Sequence, residues 1–264
     1  MKYFLTVIVF SLISMGVFSS PKKLINSWEI QRFKLSDQGI KDLVFDIKIE
    51  GQSEEITKMK TYGKVTDLHY RVYWLSSGDM DVQVMGLGGK WRELRSSLKS
   101  NIFGILEVLF PTSLFKVTRG YELSTTSSGR VKAVDKSFQK PFQEMFISFS
   151  KVGALSEIKS KSALGTQILT FVNKKQPAVK NAFVTQKIFK KNFYGPRTIN
   201  SNISISYGKE SGYFLPKGLD LTTELSIPEG ASKEDGNRVS KKNSRINFSN
   251  FSVNKNLARS YFKK

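Results

Sequence analysis

Alternating apolar and polar residues dominate this chain, and no other feature constrains its fold as strongly. In residues 42–50 every apolar side chain but one falls on a single face. That face consists of Leu43, Phe45, Ile47 and Ile49. A period of two is typical of half-buried antiparallel strands. Further segments of this kind are 68–75, 82–86, 146–149, 168–172, 203–207, 219–227 and 246–253. The sequence therefore predicts a largely antiparallel β-sheet.

Residue types within this pattern predict a hairpin, a β-bulge and an exposed loop. Ser76-Ser77-Gly78-Asp79 separates two alternating segments, so 68–86 is expected to form a hairpin. In the final segment the apolar positions shift phase at Ser249-Asn250, which predicts a β-bulge. Residues 229–245 are polar and contain glycine. We expect them to form an exposed loop before the last strand.

Two segments follow a helical period instead. Over 93–109 apolar residues recur every three or four positions, and Pro111 ends the pattern. The apolar positions are Leu94, Leu98, Ile102, Ile105, Leu106 and Leu109. Such a helix is about 24 Å long and is expected to lie across one face of the sheet. A second helix is expected over 24–35. Its shared face comprises Leu24, Trp28 and Phe33.

These elements predict the α+β class, with a strongly curved antiparallel sheet covered by a few helices. No repeat, low-complexity tract or linker divides residues 20–254, so we expect a single domain there. Residues 255–264 are rich in lysine and arginine. They are expected to form a basic, frayed C-terminal tail.

The N-terminus has the organisation of a secretory signal peptide. Lys2 precedes an apolar run over 4–18, and small residues then lead into the polar segment that begins at Pro21. The run is about 15 residues long, whereas a membrane span needs roughly 20. We expect cleavage after Ser19, so that residues 1–19 are removed and the protein is periplasmic. A buried N-terminal strand or helix is the alternative.

The charge balance bears on partners rather than on the fold. The chain has 42 Lys and Arg against 22 Asp and Glu, a formal net charge of +20. For an exported protein, this charge favours anionic partners such as phospholipid headgroups, lipopolysaccharide or acidic cell-wall polymers, and disfavours nucleic acid. The basic residues are scattered along the chain, so a solvated surface explains them equally well. With no cysteine, disulfides, thiolate metal sites and lipidation of an N-terminal cysteine are excluded.

No catalytic motif stands out. His69 is the only histidine, and neither a Gly-x-Ser-x-Gly elbow nor a His-Glu-x-x-His motif occurs. Gly86-Leu87-Gly88-Gly89 lacks the phosphate-binding pattern and is expected to form a tight turn between a strand and the long helix. We therefore predict no enzyme activity, no metal and no cofactor. The alternative to this prediction is an envelope hydrolase that uses two carboxylates from distant strands.

Large apolar residues are abundant, with 20 Phe, 9 Tyr and 3 Trp. They either fill the core or leave an apolar cavity for a lipid-like ligand between the sheet and the long helix. Composition does not separate these two interpretations. If a cavity exists, its expected lining is Phe45, Ile47, Val72, Trp74, Val84, Leu94, Leu98, Ile102, Phe149, Leu219 and Leu221.

Four segments carry a family resemblance in their order along the chain. An N-terminal helix leads into the strand at 39–47, and a hairpin surrounds Tyr73-Trp74-Leu75. A Gly-x-aromatic-x-Pro turn leads into a long strand at 212–219, and Ile-x-Phe-x-Asn-Phe opens the closing strand at 246–254. This ordered set resembles the periplasmic outer-membrane lipoprotein carrier superfamily (LolA/LolB-like).

The resemblance implies an unclosed half-barrel with helices that act as a lid over an apolar cavity. In that family the cavity receives acyl chains of lipoproteins or other lipids. The expected function is therefore a monomeric lipid or lipoprotein carrier that binds acyl chains and approaches an anionic membrane surface. The alternative is a non-catalytic module of the same fold that senses envelope stress or binds a protein partner.

Overall fold

The computed structural model describes residues 20–59, 64–88, 91–227 and 238–263. The predicted signal peptide at 1–19 and most of the loop expected from residue 229 onward lie outside the described residues. Within the described part of the chain, no helix combines the length and the apolar character that crossing a membrane requires.

Twelve strands form one antiparallel sheet. They are β1 Asp42–Ile49, β2 His69–Leu75, β3 Met80–Met85, β4 Glu122–Thr125, β5 Val131–Val134, β6 Glu144–Phe149, β7 Leu155–Ser162, β8 Gly165–Gln176, β9 Ala182–Tyr194, β10 Arg197–Glu210, β11 Tyr213–Ile227 and β12 Arg238–Val253. Their order is β3-β2-β1-β12-β11-β10-β9-β8-β7-β6-β5-β4. The sheet is not closed into a barrel, because β3 and β4 remain its two edges. The predicted α+β class with an unclosed antiparallel sheet is confirmed.

Within the described ranges, five α-helices and two 3₁₀ turns accompany the sheet. They are α1 Pro21–Gln31, α2 Gln52–Lys58, α3 Arg92–Leu109, α4 Leu114–Val117 and α5 Leu257–Phe262, with 3₁₀ turns at Leu35–Gln38 and Pro177–Val179. The long helix predicted over 93–109 is confirmed as α3. Its residues Leu98, Ile102 and Leu106 are buried. They pack against the inner face of the sheet, which is the face that carries the apolar stripe of β1.

The first helix is shorter than the sequence predicts. It ends at Gln31, because Arg32 adopts an extended conformation and forms an isolated bridge with Phe183 of β9. Phe33 therefore leaves the face of Trp28 and lies edge-on to Tyr207 and Phe214. The expectation of one continuous helix over 24–35 is wrong.

The two larger of three buried hydrophobic clusters among the described residues form the cores on the inner face. The first joins α3 to β1, β2, β3, β10, β11 and β12. In the second, Ile25 and Trp28 of α1 and Leu114 of α4 pack against Val131 of β5 and Ile147 of β6. The helices thus cover two different parts of one sheet, and a gap between them is where a ligand site is expected.

The hairpin and the bulge predicted from the sequence are confirmed. β2 and β3 form the hairpin within 68–86. The β1–β12 register slips between Val44 and Asp46, where Asn250 and Phe251 lie opposite Phe45 alone. Asn250 has a φ of +54°, a left-handed conformation that asparagine tolerates better than most residues. Its amide donates a hydrogen bond of 2.9 Å to Asp46.

Residues 238–245 belong to β12, although an exposed loop is expected there. They pair with β11 in continuous register from Arg238 to Asn247. The segment 239–243 is exposed, so neither face carries the apolar stripe that would reveal a strand. Four other strands, β4, β5, β7 and β9, also lack a sequence prediction. β4 and β5 have only four residues each, and β7 and β9 have lysines between their apolar residues.

The expected frayed tail instead contains helix α5. Ala258 is fully buried, and the ring of Tyr261 stacks on Tyr73 with a centroid distance of 4.0 Å. The Tyr261 hydroxyl donates to the carboxylate of Asp81 at 2.5 Å. The backbone N–H of Arg259 donates to Asp42. These contacts attach α5 to the outer face of β1 and β2, so the expectation of a frayed end is corrected.

The turn after β3 requires glycine, as its predicted tight geometry implies. Gly86 has a φ of +80°, and a Cβ there would lie 2.1 Å from the carbonyl oxygen of Asp67. We expect Gly86→Ala to lower the free energy of unfolding by about 1–3 kcal/mol, because positive φ strains an L-residue. Gly104→Ala in α3 meets no atom within 4 Å. It should raise the same quantity by about 0.5–1 kcal/mol. Urea titration of both variants measures the signs, and equal signs would contradict this geometry.

Candidate functional site

A groove of about 420 Å³ lies between the inner face of the sheet and the helices. The β2–β3 turn, the C-terminal end of α3 and the segment that follows α1 surround it. Its apolar side chains are Phe33, Leu35, Trp74, Met80, Phe103, Leu109, Phe110, Pro111, Tyr207 and Pro216. This volume lies within the usual 300–1,000 Å³ of small-molecule sites. We refer to this set of residues as the aromatic groove.

Strand pairing determines which side chains form one side of the aromatic groove. Trp74 on β2 lies opposite Leu43 on β1 and Met80 on β3, so these three side chains share the inner face. Phe110 follows the last turn of α3, where its N–H donates to the carbonyl of Leu106 at 2.7 Å. The rings of Trp74 and Phe110 stack with centroids 5.9 Å apart. The sheet and the end of α3 therefore meet through an aromatic contact.

The opposite side is also built from packed rings. Tyr207 and Phe214 stack with a centroid distance of 5.2 Å, and Phe33 lies edge-on to both. Burial raises the pKa of Tyr207 far above its usual value, so its hydroxyl stays neutral. That hydroxyl donates to the backbone carbonyl of Thr185 at 3.3 Å. Because the polar end of Tyr207 is satisfied in this way, its ring presents an apolar surface.

The rim of the aromatic groove is mainly basic. Arg32, Lys34 and Lys116 lie in the lining, with Glu107 as the only carboxylate among the lining residues that the structure describes. Lys34 and Lys116 have no ion-pair partner within the described ranges. Two uncompensated ammonium groups therefore lie beside an apolar surface, an arrangement that suits an amphiphile with an anionic headgroup.

A buried ion pair fastens the helices on this side of the groove. Arg32 donates to the carboxylate of Glu29 at 2.8 Å and to the carbonyl of Pro111 at 3.1 Å. The other carboxylate oxygen of Glu29 accepts the N–H of Leu114 at 2.7 Å. Glu29 is 7% exposed. We call Glu29, Arg32, Pro111 and Leu114 the clasp, because they join α1 to the connection between α3 and α4.

Most residues expected to line a cavity lie in the packed cores. Phe45, Ile47, Val72, Val84, Leu98, Ile102 and Leu219 are buried members of the first core. Leu94 and Leu221 are partly buried against that core, and Phe149 is partly buried against the second. Phe45, for instance, stacks on Phe251 with a centroid distance of 5.6 Å. Of the eleven residues, only Trp74 lies in the aromatic groove.

The other groove residues carry little sequence signal. Phe33 follows α1, Phe110 follows α3, and Pro216 lies beside a register shift between β10 and β11. Positions at the ends of elements escape both the period of two and the helical period. Leu109 is the exception, because it lies within α3 and belongs to the apolar face predicted for that helix, whereas Phe103 of the same helix lies outside the predicted positions.

The described residues hold few groups for other chemistry. They contain no cluster of three or more His, Cys, Asp and Glu side chains that could hold a metal ion. His69 lies at the start of β2, with its Nδ1 3.1 Å from the carbonyl oxygen of Asp67. The lining of the aromatic groove contains one carboxylate rather than a pair. What the groove offers is apolar contact area and positive charge.

Comparison with known proteins adds no relative. No protein-family model matches this chain, and searches of curated proteins and of solved structures returned no match. The resemblance to the lipoprotein carrier superfamily therefore stays a prediction from the sequence.

Proposed function

We propose that this protein is a periplasmic carrier that holds acyl chains of a lipid or lipoprotein in the aromatic groove. The observation that carries the proposal is the juxtaposition of Trp74, Phe103 and Phe110 with the basic rim at Lys34 and Lys116. The rings would contact the acyl chain, and the ammonium groups would attract an anionic headgroup. The predicted signal peptide and the family resemblance point in the same direction.

Burial of hydrocarbon supplies the free energy for such binding. Each buried CH₂ contributes about 0.8 kcal/mol, so eight methylenes contribute about 6 kcal/mol before the cost of association. A groove of about 420 Å³ suits part of a chain rather than a whole diacyl lipid. We expect longer chains to require α3 to move away from the sheet, which would expose more of the first core.

Fluorescent fatty-acid titration tests the site with two matched variants of α3. Phe103 lines the aromatic groove, whereas Ser100 on the same helix is exposed. Phe103→Glu would place a charge against the acyl chain, and we expect it to weaken binding at least tenfold. Ser100→Glu adds the same charge outside the groove and should bind like the wild type. Equal affinities for all three proteins would refute this site, provided that their melting temperatures show they are folded.

Native mass spectrometry of the protein purified from its own envelope tests the cargo. We expect a lipid or a lipid-modified protein to co-purify with the wild type and to be depleted in Phe103→Glu. The regulatory alternative predicts a different outcome. If no lipid co-purifies, no fatty acid binds and one envelope protein is recovered in stoichiometric amount, the protein is a partner-binding module rather than a carrier.

A further inference from the structure

The outer face of the sheet carries a row of residues that only strand register reveals. Lys132 on β5, Phe146 on β6, Lys159 on β7, Ile168 on β8 and Lys191 on β9 are successive cross-strand partners. Cations and apolar side chains therefore alternate across five strands. Since neighbouring strands lie about 4.8 Å apart, the lysines are spaced by about 10 Å.

The flanking positions extend this row into a face. Lys187 and Phe189 lie on the same side of β9 as Lys191, and Lys161 lies on the same side of β7 as Lys159. We call this set the outer basic face: Lys132, Phe146, Lys159, Lys161, Ile168, Lys187, Phe189 and Lys191. Phe189 is 43% exposed, which is high for an aromatic residue in the middle of a strand.

Few acidic groups compensate these lysines. Glu144 on β6 pairs with Lys132 and Lys161 at 2.8 and 3.3 Å, and Glu157 on β7 and Glu224 on β11 are further carboxylates on or beside this face. Lys159 and Lys191 have no ion-pair partner among the described residues; Lys191 instead lies 5.0 Å from the ring centroid of Phe193. α1 packs against the inner sides of β5 and β6, and α5 against β1 and β2. The outer basic face is thus left open.

We propose that the outer basic face docks the protein on the surface of an anionic phospholipid bilayer. Lysine ammonium groups at this spacing match the charge of many headgroups at once, and Phe189 would enter the interfacial region between them. A bilayer is favoured over an acidic protein because lysines and apolar side chains alternate across five strands, so positive charge and apolar contact are spread over the whole face. Docking uses the side of the sheet opposite the aromatic groove, so a bound acyl chain and a docked membrane do not compete.

Vesicle co-sedimentation tests this proposal with charge-matched variants. The probes are vesicles of phosphatidylcholine alone and vesicles that also contain phosphatidylglycerol. Lys159→Glu/Lys191→Glu changes the outer basic face, and Lys22→Glu/Lys23→Glu makes the same net change at exposed positions of α1. Loss of two lysines from the surface alone weakens binding about 30-fold, and the charge reversal should add to this. We expect the α1 variant to stay within about threefold of the wild type.

The outcomes separate docking from the carrier proposal. Wild-type binding should require phosphatidylglycerol and should decline as salt is raised. Equal weakening of both double variants would assign the effect to net charge and overturn the docking face. Absence of binding to anionic vesicles would overturn it as well, including the case in which an acidic envelope protein is captured instead. Phe103→Glu should still sediment with the vesicles. A result against fatty-acid binding in the aromatic groove would therefore leave the test of membrane docking unaffected.

Discussion

Glu29→Ala is expected to lower the free energy of unfolding by about 3–5 kcal/mol, because it leaves a buried guanidinium without its partner. The side chains of Arg32 and Glu29 are only 12% and 9% exposed, so water replaces the lost carboxylate poorly. The N–H of Leu114 loses its acceptor in the same step. Equilibrium unfolding in urea measures the change.

Glu122→Ala is the matched control for an exposed ion pair. Glu122 pairs with Lys136 at 2.5 Å, but the two side chains are 58% and 75% exposed. Exposed pairs contribute about 0–1 kcal/mol, so this variant should unfold almost like the wild type. Glu29→Gln keeps an acceptor for the N–H of Leu114, so its loss in free energy of unfolding should lie between those of Glu29→Ala and Glu122→Ala. If Glu29→Ala is no more destabilising than Glu122→Ala, the clasp does not hold α1 to the connection between α3 and α4.

Phe45→Ala is expected to cost a similar amount, about 3–5 kcal/mol, because it opens a cavity in the first core. Phe45 is fully buried, and its ring contacts Phe110, Phe248 and Phe251 with centroids 5.6–6.1 Å away. Phe110 also belongs to the aromatic groove. The cavity would therefore loosen one wall of the groove, and fatty-acid affinity should fall together with stability.

Phe138→Ala controls for the loss of a phenyl ring as such. Phe138 is 79% exposed, so its removal should change the free energy of unfolding by no more than about 0.5 kcal/mol. Thermal and urea unfolding of both variants gives the comparison. If Phe45→Ala is destabilised by less than about 1 kcal/mol, the packing of Phe45 on β1 against Phe248 and Phe251 on β12 is not as close as the ring distances indicate.

The sequence predicts elements whose apolar and polar residues recur with a regular period, even where both faces are buried, as in β1. β1 and α3 have one apolar face and one polar face, and both are found where the pattern places them. The bulge at Asn250 is predicted because it shifts that same pattern. β12 is underestimated for the converse reason, since its first residues are exposed on both faces and leave no stripe to detect.

The aromatic groove is predicted only through Trp74. Periodicity identifies side chains that face inward, but it does not tell a packed interior from an open one. Phe45 and Trp74 lie on neighbouring strands of the same face, yet the first is enclosed by three rings and the second lies beside solvent. That difference arises where α1 stops at Gln31 and α3 stops at Leu109.

The outer basic face is likewise not predictable from the sequence alone. Along the chain, Lys132, Lys159 and Lys191 are separated by about thirty residues and look scattered. Antiparallel pairing brings them onto one row. Composition alone leaves a solvated surface and an anionic partner equally plausible, whereas strand register shows which lysines lie in one row.

The central claim, that the aromatic groove binds an acyl chain, is tested most directly by quenching tryptophan fluorescence with a brominated fatty acid. Bromine quenches a ring that it touches; Trp74 lies in the groove, whereas Trp28 is buried in the second core. We predict saturable quenching in the wild type and in Trp28→Phe, and its loss in Trp74→Phe. Undiminished quenching in Trp74→Phe, or none in the wild type, would contradict the claim.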